Sequence, residues 1–163
     1  MATFKIILLL FSILLLFASV YLLIIFLGGA KGSSNYLKCK IVLGSQEFNV
    51  DVADTMIKQM QGLSIYQNIN NNEGMLFVFP NKNIRTFWMK GMKFPIDIIW
   101  IDDNKIIGFE KNVQPEPGVI DNLLKIYSSP APVDKVLELK AGTIDNLNLT
   151  MGSQINILQQ CLK

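Results

Sequence analysis

From Ile6 to Leu27 the chain is apolar at 20 of 22 positions, interrupted only by Ser12 and Ser19, and no polar face recurs at helical spacing. A helix of that length rises about 33 Å, enough to cross a hydrocarbon core of about 30 Å. Residues 6–27 are therefore expected to form a single N-terminal transmembrane helix behind a short flank, residues 1–5. A cleavable export signal usually carries a shorter apolar core, about 7–15 residues. A retained anchor is favoured, although Gly28-Gly29-Ala30 offers small residues where cleavage could occur. Residues 28–35 read as a flexible Gly- and Ser-containing linker.

Beyond the linker the hydrophobic period shortens to two. Tyr36 to Leu43 alternates and then turns apolar, Gly44-Ser45 reads as a turn, and Phe48, Val50 and Val52 alternate with polar partners. Asp54 can cap a short helix through Gln61 that Gly62 stops, with Ile57 and Met60 as its buried side. Met75 to Phe79 is an apolar strand ended by Pro80. Thr86 to Lys90 is another strand. Ile96 to Asp102 and Lys105 to Phe109 form a hairpin around Asp102-Asp103-Asn104. Gln114 to Pro132 (residues 114–132) holds four of the six prolines and predicts a long loop, a lid, binding loop or insertion. Val136 to Leu139 and Gln154 to Leu158 complete eight short strands, with a helical turn at Thr143 to Leu147. Residues 36–163 are thus expected to be a mainly β domain. Its predicted form is a compact β-sandwich, jelly-roll-like or partly closed barrel with one or two short helices.

Composition narrows the chemistry. The chain has no histidine, which excludes Ser-His-Asp and Cys-His catalysis and imidazole zinc sites. Two cysteines cannot supply a four-thiolate site, so no metal or cofactor is expected. A net charge of +2 gives no basic footprint for nucleic acid. Lys5 lies before the apolar segment and Lys31, Lys38 and Lys40 after it, so flanking charge leaves orientation open. The resemblance of a short charged start and long apolar run to an export signal favours an extracytoplasmic domain. Cys39 and Cys161 lie near the two ends of that domain. Either they pair, closing a loop of more than 120 residues, or they are two free buried thiols.

Candidate function concentrates in Thr86 to Asp102. Alternation puts Thr86, Trp88 and Lys90 on one face. Such a face suits ligand or partner contact, or else Trp88 covers a sheet edge while Lys90 reaches water. Asp97 shares a face with Ile99 and Ile101, where a carboxylate must be paired or hydrogen-bonded. Lys90 or Lys93 could pair it, it could cap the turn behind Pro95, or it could be a binding or catalytic carboxylate. With Glu73 and Glu138 it could also form an acid–base pair. The Asp102-Asp103-Asn104 turn lacks the spacing of a calcium loop.

EGMLFVFP (Glu73 to Pro80), TFWMK (Thr86 to Lys90), PIDIIWID (Pro95 to Asp102) and YSSPAPVDKVLELKAGT (Tyr127 to Thr143) occur in order. Together with VADTMIKQMQGL (Val52 to Leu63) and LNLTMGSQI (Leu147 to Ile155), they resemble the bacterial and archaeal domain-of-unknown-function family numbered 192. The likeness runs from about Phe48 to Ile157. It implies an exported protein with a sandwich or jelly-roll-like fold, and it singles out Glu73, Gly74, Trp88, Met89, Lys90, Pro95, Asp97 and Glu138, without assigning them roles. The chain departs from the family pattern at Tyr66, where relatives usually carry Arg, at Gly91-Met92, and in a long loop without cysteine.

The favoured expectation is a membrane-tethered, non-enzymatic binding module for an envelope component or protein partner. It requires Trp88 and Lys90 to be partly exposed beside the loop 114–132. A carboxylate-dependent hydrolase of envelope carbohydrate is the alternative, and it requires Asp97 close to Glu73 or Glu138 in one cleft. A structural or assembly module is the third.

Overall fold

The computed structural model describes residues 13–20 and 36–162. The chain divides between Asn35 and Tyr36 into two units. In the first, residues 13–20 are helical. The remainder of the expected transmembrane segment, the N-terminal flank and the linker lie outside the described residues. Among the described residues no helix is long and apolar enough to cross a membrane.

The second unit is mainly β. Its strands are β1 (Leu37–Leu43), β2 (Gln46–Ala53), β3 (Glu73–Asn83), β4 (Thr86–Phe87), β5 (Ile96–Asp102), β6 (Lys105–Val113), β7 (Tyr127–Ser128), β8 (Val133–Lys140) and β9 (Ile155–Ile157). The short helices α1 (Met56–Gln61) and α2 (Thr143–Asn146) punctuate them. Seven strands form one sheet in the order β6-β5-β8-β3-β2-β1-β9, and β4 pairs with β7 in a separate ribbon. Among the described strands only β2 and β3 run parallel, and α1 lies in the connection between them.

Of the expected forms, the partly closed barrel is the one that matches: the main sheet curls as a half-barrel, and no stacked sandwich forms among the described residues. The residues leading into β9 draw its two ends together. While β9 pairs with β1 at one edge, Gln154 bridges Lys105 at the start of β6, the opposite edge. Ile155 N–H donates to the Asn104 carbonyl (3.0 Å) and Ile106 N–H to the Ser153 carbonyl (3.0 Å).

Strand parity then divides the apolar side chains into two cores. The inner core gathers Ile41, Phe48, Val50, Val52, Leu76, Ile99, Ile101, Leu137 and Leu139 from across the sheet. Cys39 and Cys161 also lie there, joined in a disulfide with a Cα–Cα separation of 5.7 Å. The outer core contains Ala53, Met75, Phe77, Ile98, Trp100 and Val136, covered by Leu63, Met89 and Phe94 from the connections. Gly74 sits where β3 passes close to β8. A Cβ there would stand 2.4 Å from the Glu138 carbonyl oxygen and 2.6 Å from Leu139.

Three local expectations need correction. The N-cap of α1 is Thr55, whose hydroxyl accepts from Lys58 N–H (3.4 Å), not Asp54. Asp54 instead pairs with Lys58. Nor does α1 bury an apolar side, because Ile57 and Met60 are 72% and 76% exposed. A strand does not end at Pro80: β3 continues to Asn83, across a register shift between Val78 and Asn83 that removes the need for a ladder donor there.

Candidate functional site

The five candidate residues separate into three environments. Trp88, Lys90 and Glu138 line one cavity of about 320 Å³ on the outer side of the sheet. Its floor is β3 and β8, one wall is α1 and the turn after it, and the opposite wall is the segment from Ile84 to Met92. Glu138 lies in the middle of β8, with Met75 of β3 on one side and Ile98 of β5 on the other. It shares its face with Val136 and is 5% exposed. Burial pushes its carboxyl up to about 8, while a backbone hydrogen bond at Leu63 acts in the opposite direction. Its Oε2 has no hydrogen-bond partner among the described residues. Glu138 is also the one acidic side chain among those lining the cavity.

At the mouth, alternation persists although the strand itself ends at Phe87. Thr86, Trp88 and Lys90 face out, whereas Met89 is buried and Phe87 half-buried. Trp88 is 47% exposed. Lys90 lies 5.7 Å from the centre of the Trp88 ring and pairs with Asp121 of the loop 114–132. That loop is not structureless. Its β7 pairs with β4, and Ser129 and Arg85 exchange two hydrogen bonds, one at 2.9 Å and one at 3.0 Å. Phe87 packs edge-on against Phe77 (4.8 Å) and Trp100 (5.6 Å), which anchors the ribbon to the sheet.

Asp97 belongs to the other face. Its neighbour Ile98 pairs with Glu138, whereas Asp97 pairs with Leu139, so the two carboxyls project from opposite sides of the sheet. Asp97 is 1% exposed and accepts from the backbone N–H groups of Asn112 (2.8 Å) and Ile144 (2.9 Å). It ties the end of β6 to the first turn of α2. Neither Lys90 nor Lys93 is its partner, because Lys90 pairs with Asp121 and Lys93 donates to the Ser64 carbonyl.

Glu73 lines a different cleft, with Lys38, Asp51 and Tyr66. Its carboxylate accepts from Asn70 N–H (2.9 Å), and this backbone bond holds it below the usual range despite partial desolvation. Asp51 in the same cleft takes Lys38 on one oxygen (2.5 Å) and the Tyr66 hydroxyl on the other. The acid–base pair required of Asp97 with Glu138 or Glu73 is thus not assembled with Asp97. Asp102, Asp103 and Asp134 do converge, but Lys82 and Lys135 already pair with them.

Arg85 was not legible as a candidate, yet it lines the same cavity as Glu138. It is the chain's single arginine, and it stands next to TFWMK, which was the available signal. Its guanidinium stacks 4.0 Å over the Phe79 ring and donates to the carbonyl and side chain of Asn81. Its Nε is buried without a partner among the described residues, and burial lowers its pKa. Asp51 carries no such signal, because alternation in β2 places it with the polar partners of Val50 and Val52, yet it is buried.

The family model DUF192, described as "Uncharacterized ACR", matches residues 40–157. The chain belongs to this family. The match begins before the resemblance noted at Phe48 and takes in every strand from β2 to β9. Among curated relatives, UPF0127 proteins of Thermococcus gammatolerans and Thermococcus sibiricus are 28% identical over 114 residues and 27% over 112. Each alignment covers 66% of this chain, and they cover 65% and 64% of the relatives, so the chain spans just under two thirds of their length. A Sinorhizobium meliloti crystal structure, provisionally named a transcription regulator, is 28% identical with a TM-score of 0.69. It covers 77% of this chain and 98% of its own. A Novosphingobium aromaticivorans protein of unknown function shares the fold at TM-score 0.69 and 22% identity, covering 77% of this chain and 89% of its own.

Proposed function

We propose that this DUF192 member is a membrane-tethered, extracytoplasmic binding module whose ligand site is the Glu138 cavity, and that it acts by binding an envelope component or protein partner rather than by catalysis. The observation that carries the reading is one open cavity with a buried carboxyl at depth, one of whose oxygens has no partner among the described residues, and a half-exposed tryptophan at its mouth. Buried polar groups without partners are rare and costly in a finished fold. Exposed apolar side chains at Met56, Met60, Ile84 and Trp88 surround it, a concentration that marks contact surfaces. Glycosidic hydrolysis by a carboxylate pair receives no comparable support, since a second acid does not line the cavity.

The placement rests on the apolar run Ile6 to Leu27 and on the disulfide between Cys39 and Cys161, a bond that persists in oxidising compartments. Two measurements test the proposal. Protease added to intact spheroplasts should remove an epitope fused after Lys163, and protection of that epitope until lysis would refute the placement. A photoreactive residue replacing Trp88 should crosslink to envelope material in cells, whereas one replacing exposed Glu47 should not. Equal adducts at both positions would refute the binding site.

A further inference from the structure

We infer that the deep end of the cavity receives an uncharged carbonyl group carried on an apolar chain, with Glu138 as its hydrogen-bond donor. This deepens the binding-module reading and rests on it.

The inference starts from what Glu138 lacks. Its Oε2 is buried in a cavity without a partner among the described residues, so it needs a proton and an acceptor, a cation, or, if left ionised, a neutral N–H or O–H donor. No cation among the described residues supplies the second. Lys90 is committed to Asp121, Lys93 to the Ser64 carbonyl, Lys58 to Asp54, and Arg85 to Asn81 and the Phe79 face. Nor is a cationic ligand favoured. The other charged side chains lining the cavity are Arg85 and Lys90, both positive, and both already lie over aromatic rings that a ligand cation would otherwise use.

The surroundings favour the protonated acid. β3 presents Met75 and Phe77 to Glu138, and β5 presents Ile98. The turn after α1 presents Gly62 and Leu63. None of these titrates, so Arg85 and Lys90 on the far wall are the charged groups that face the cavity. An acid held neutral there donates one hydrogen bond through Oε2, and a carbonyl oxygen accepts it. The cavity lining includes Phe77, Phe87, Trp88 and Met60, which suit an apolar chain. A volume of about 320 Å³ suits a small chain rather than a bulky head group.

The experiment compares hexanamide, hexanoate and hexylammonium on the full chain in nanodiscs of neutral lipid, followed through Trp88 fluorescence with Trp88→Phe as the optical baseline. Hexanamide should bind about tenfold more tightly than hexylammonium at pH 7. Glu138→Gln keeps a donor and should hold hexanamide within about threefold, whereas Glu138→Leu should lose about tenfold. Above pH 8 the native affinity should fall toward tenfold per unit, and Glu138→Gln should remove that slope. Far-ultraviolet circular dichroism confirms that each variant is folded. Tightest binding by hexylammonium, abolished in Glu138→Gln, would overturn the inference in favour of a cation site. Tightest binding by hexanoate, or equal binding of hexanamide by Glu138→Leu, would overturn it as well. Should hexanamide not bind while the position-88 crosslink persists, the carbonyl assignment falls and the binding module stands. Loss of both removes both.

Discussion

Asp97 and Glu138 sit on adjacent strands of one sheet, one register step apart, and both are almost completely buried. Their fates differ because they face opposite sides. Asp97 enters the inside of the curl, where two backbone N–H groups meet its two oxygens and the site is complete. Glu138 points outward beneath a thin cover of connections, where apolar neighbours raise its pKa and one oxygen stays unsatisfied. A buried carboxyl is thus not by itself a functional sign. What separates a structural clip from a recognition group is whether the fold has already supplied its partners.

The comparison can be broken in several ways, beginning with the largest expected effect. The inner face is closed covalently, and in the chain-entropy model a bond across 122 residues is worth about 5 kcal/mol. Cys161→Ser should lower the urea unfolding free energy by up to that amount. Asp97→Ala leaves two buried N–H groups without an acceptor and should cost about 3–4 kcal/mol in the same assay. A value under 1 kcal/mol would mean that Asp97 is no clip.

Glu138 should behave with the opposite sign. Its folded-state pKa, about 8, stands above its ordinary value of 4.5, so the unfolded chain releases that proton first. Its contribution is most favourable below pH 4.5, declines as pH rises toward 8, and then levels off. Glu138→Gln should remove this decline and leave the protein more stable by a few kcal/mol near pH 8, measured as a shift in urea midpoint. A destabilised Glu138→Gln would make the two carboxyls alike.

Trp88→Ala should change stability by less than about 1 kcal/mol, as for an exposed position. It should nonetheless weaken ligand binding. Removing the Lys90–Asp121 pair, exposed on both sides, should change stability least, within about 0–1 kcal/mol.

Much of this fold can be read from strand alternation. The runs at β1, β2, β5 and β6 announce themselves through period-two patterning and turn residues. Parity within Ile96 to Ile101 already places Asp97 with Ile99 and Ile101, as the inner face shows. Pairing was less accessible. Nothing local says that β8 lies between β5 and β3, so Asp97 and Glu138 could not be assigned to opposite sides in advance. For the same reason alternation alone leaves stacked sheets and a partly closed barrel both open, and the pairing order decides for one curled sheet.

The α1 stripe misled for a physical reason. Ile57 and Met60 have core-like spacing, yet the helix is a cover whose apolar residues meet solvent, with Met60 at the cavity mouth. In the site, Trp88 and Lys90 were legible because motif and amphipathic face coincide. Arg85 is not legible in the same way because its stacking on Phe79 depends on the turn between β3 and β4.

The bond between Cys39 and Cys161 also has a mechanical consequence. It sits three residues after the domain's first described residue and one before its last. Tension applied between those two points would pass from β1 into the final turn through sulfur. The seven-stranded sheet between them would carry almost none of that load, so a pull along the chain need not deform the cavity.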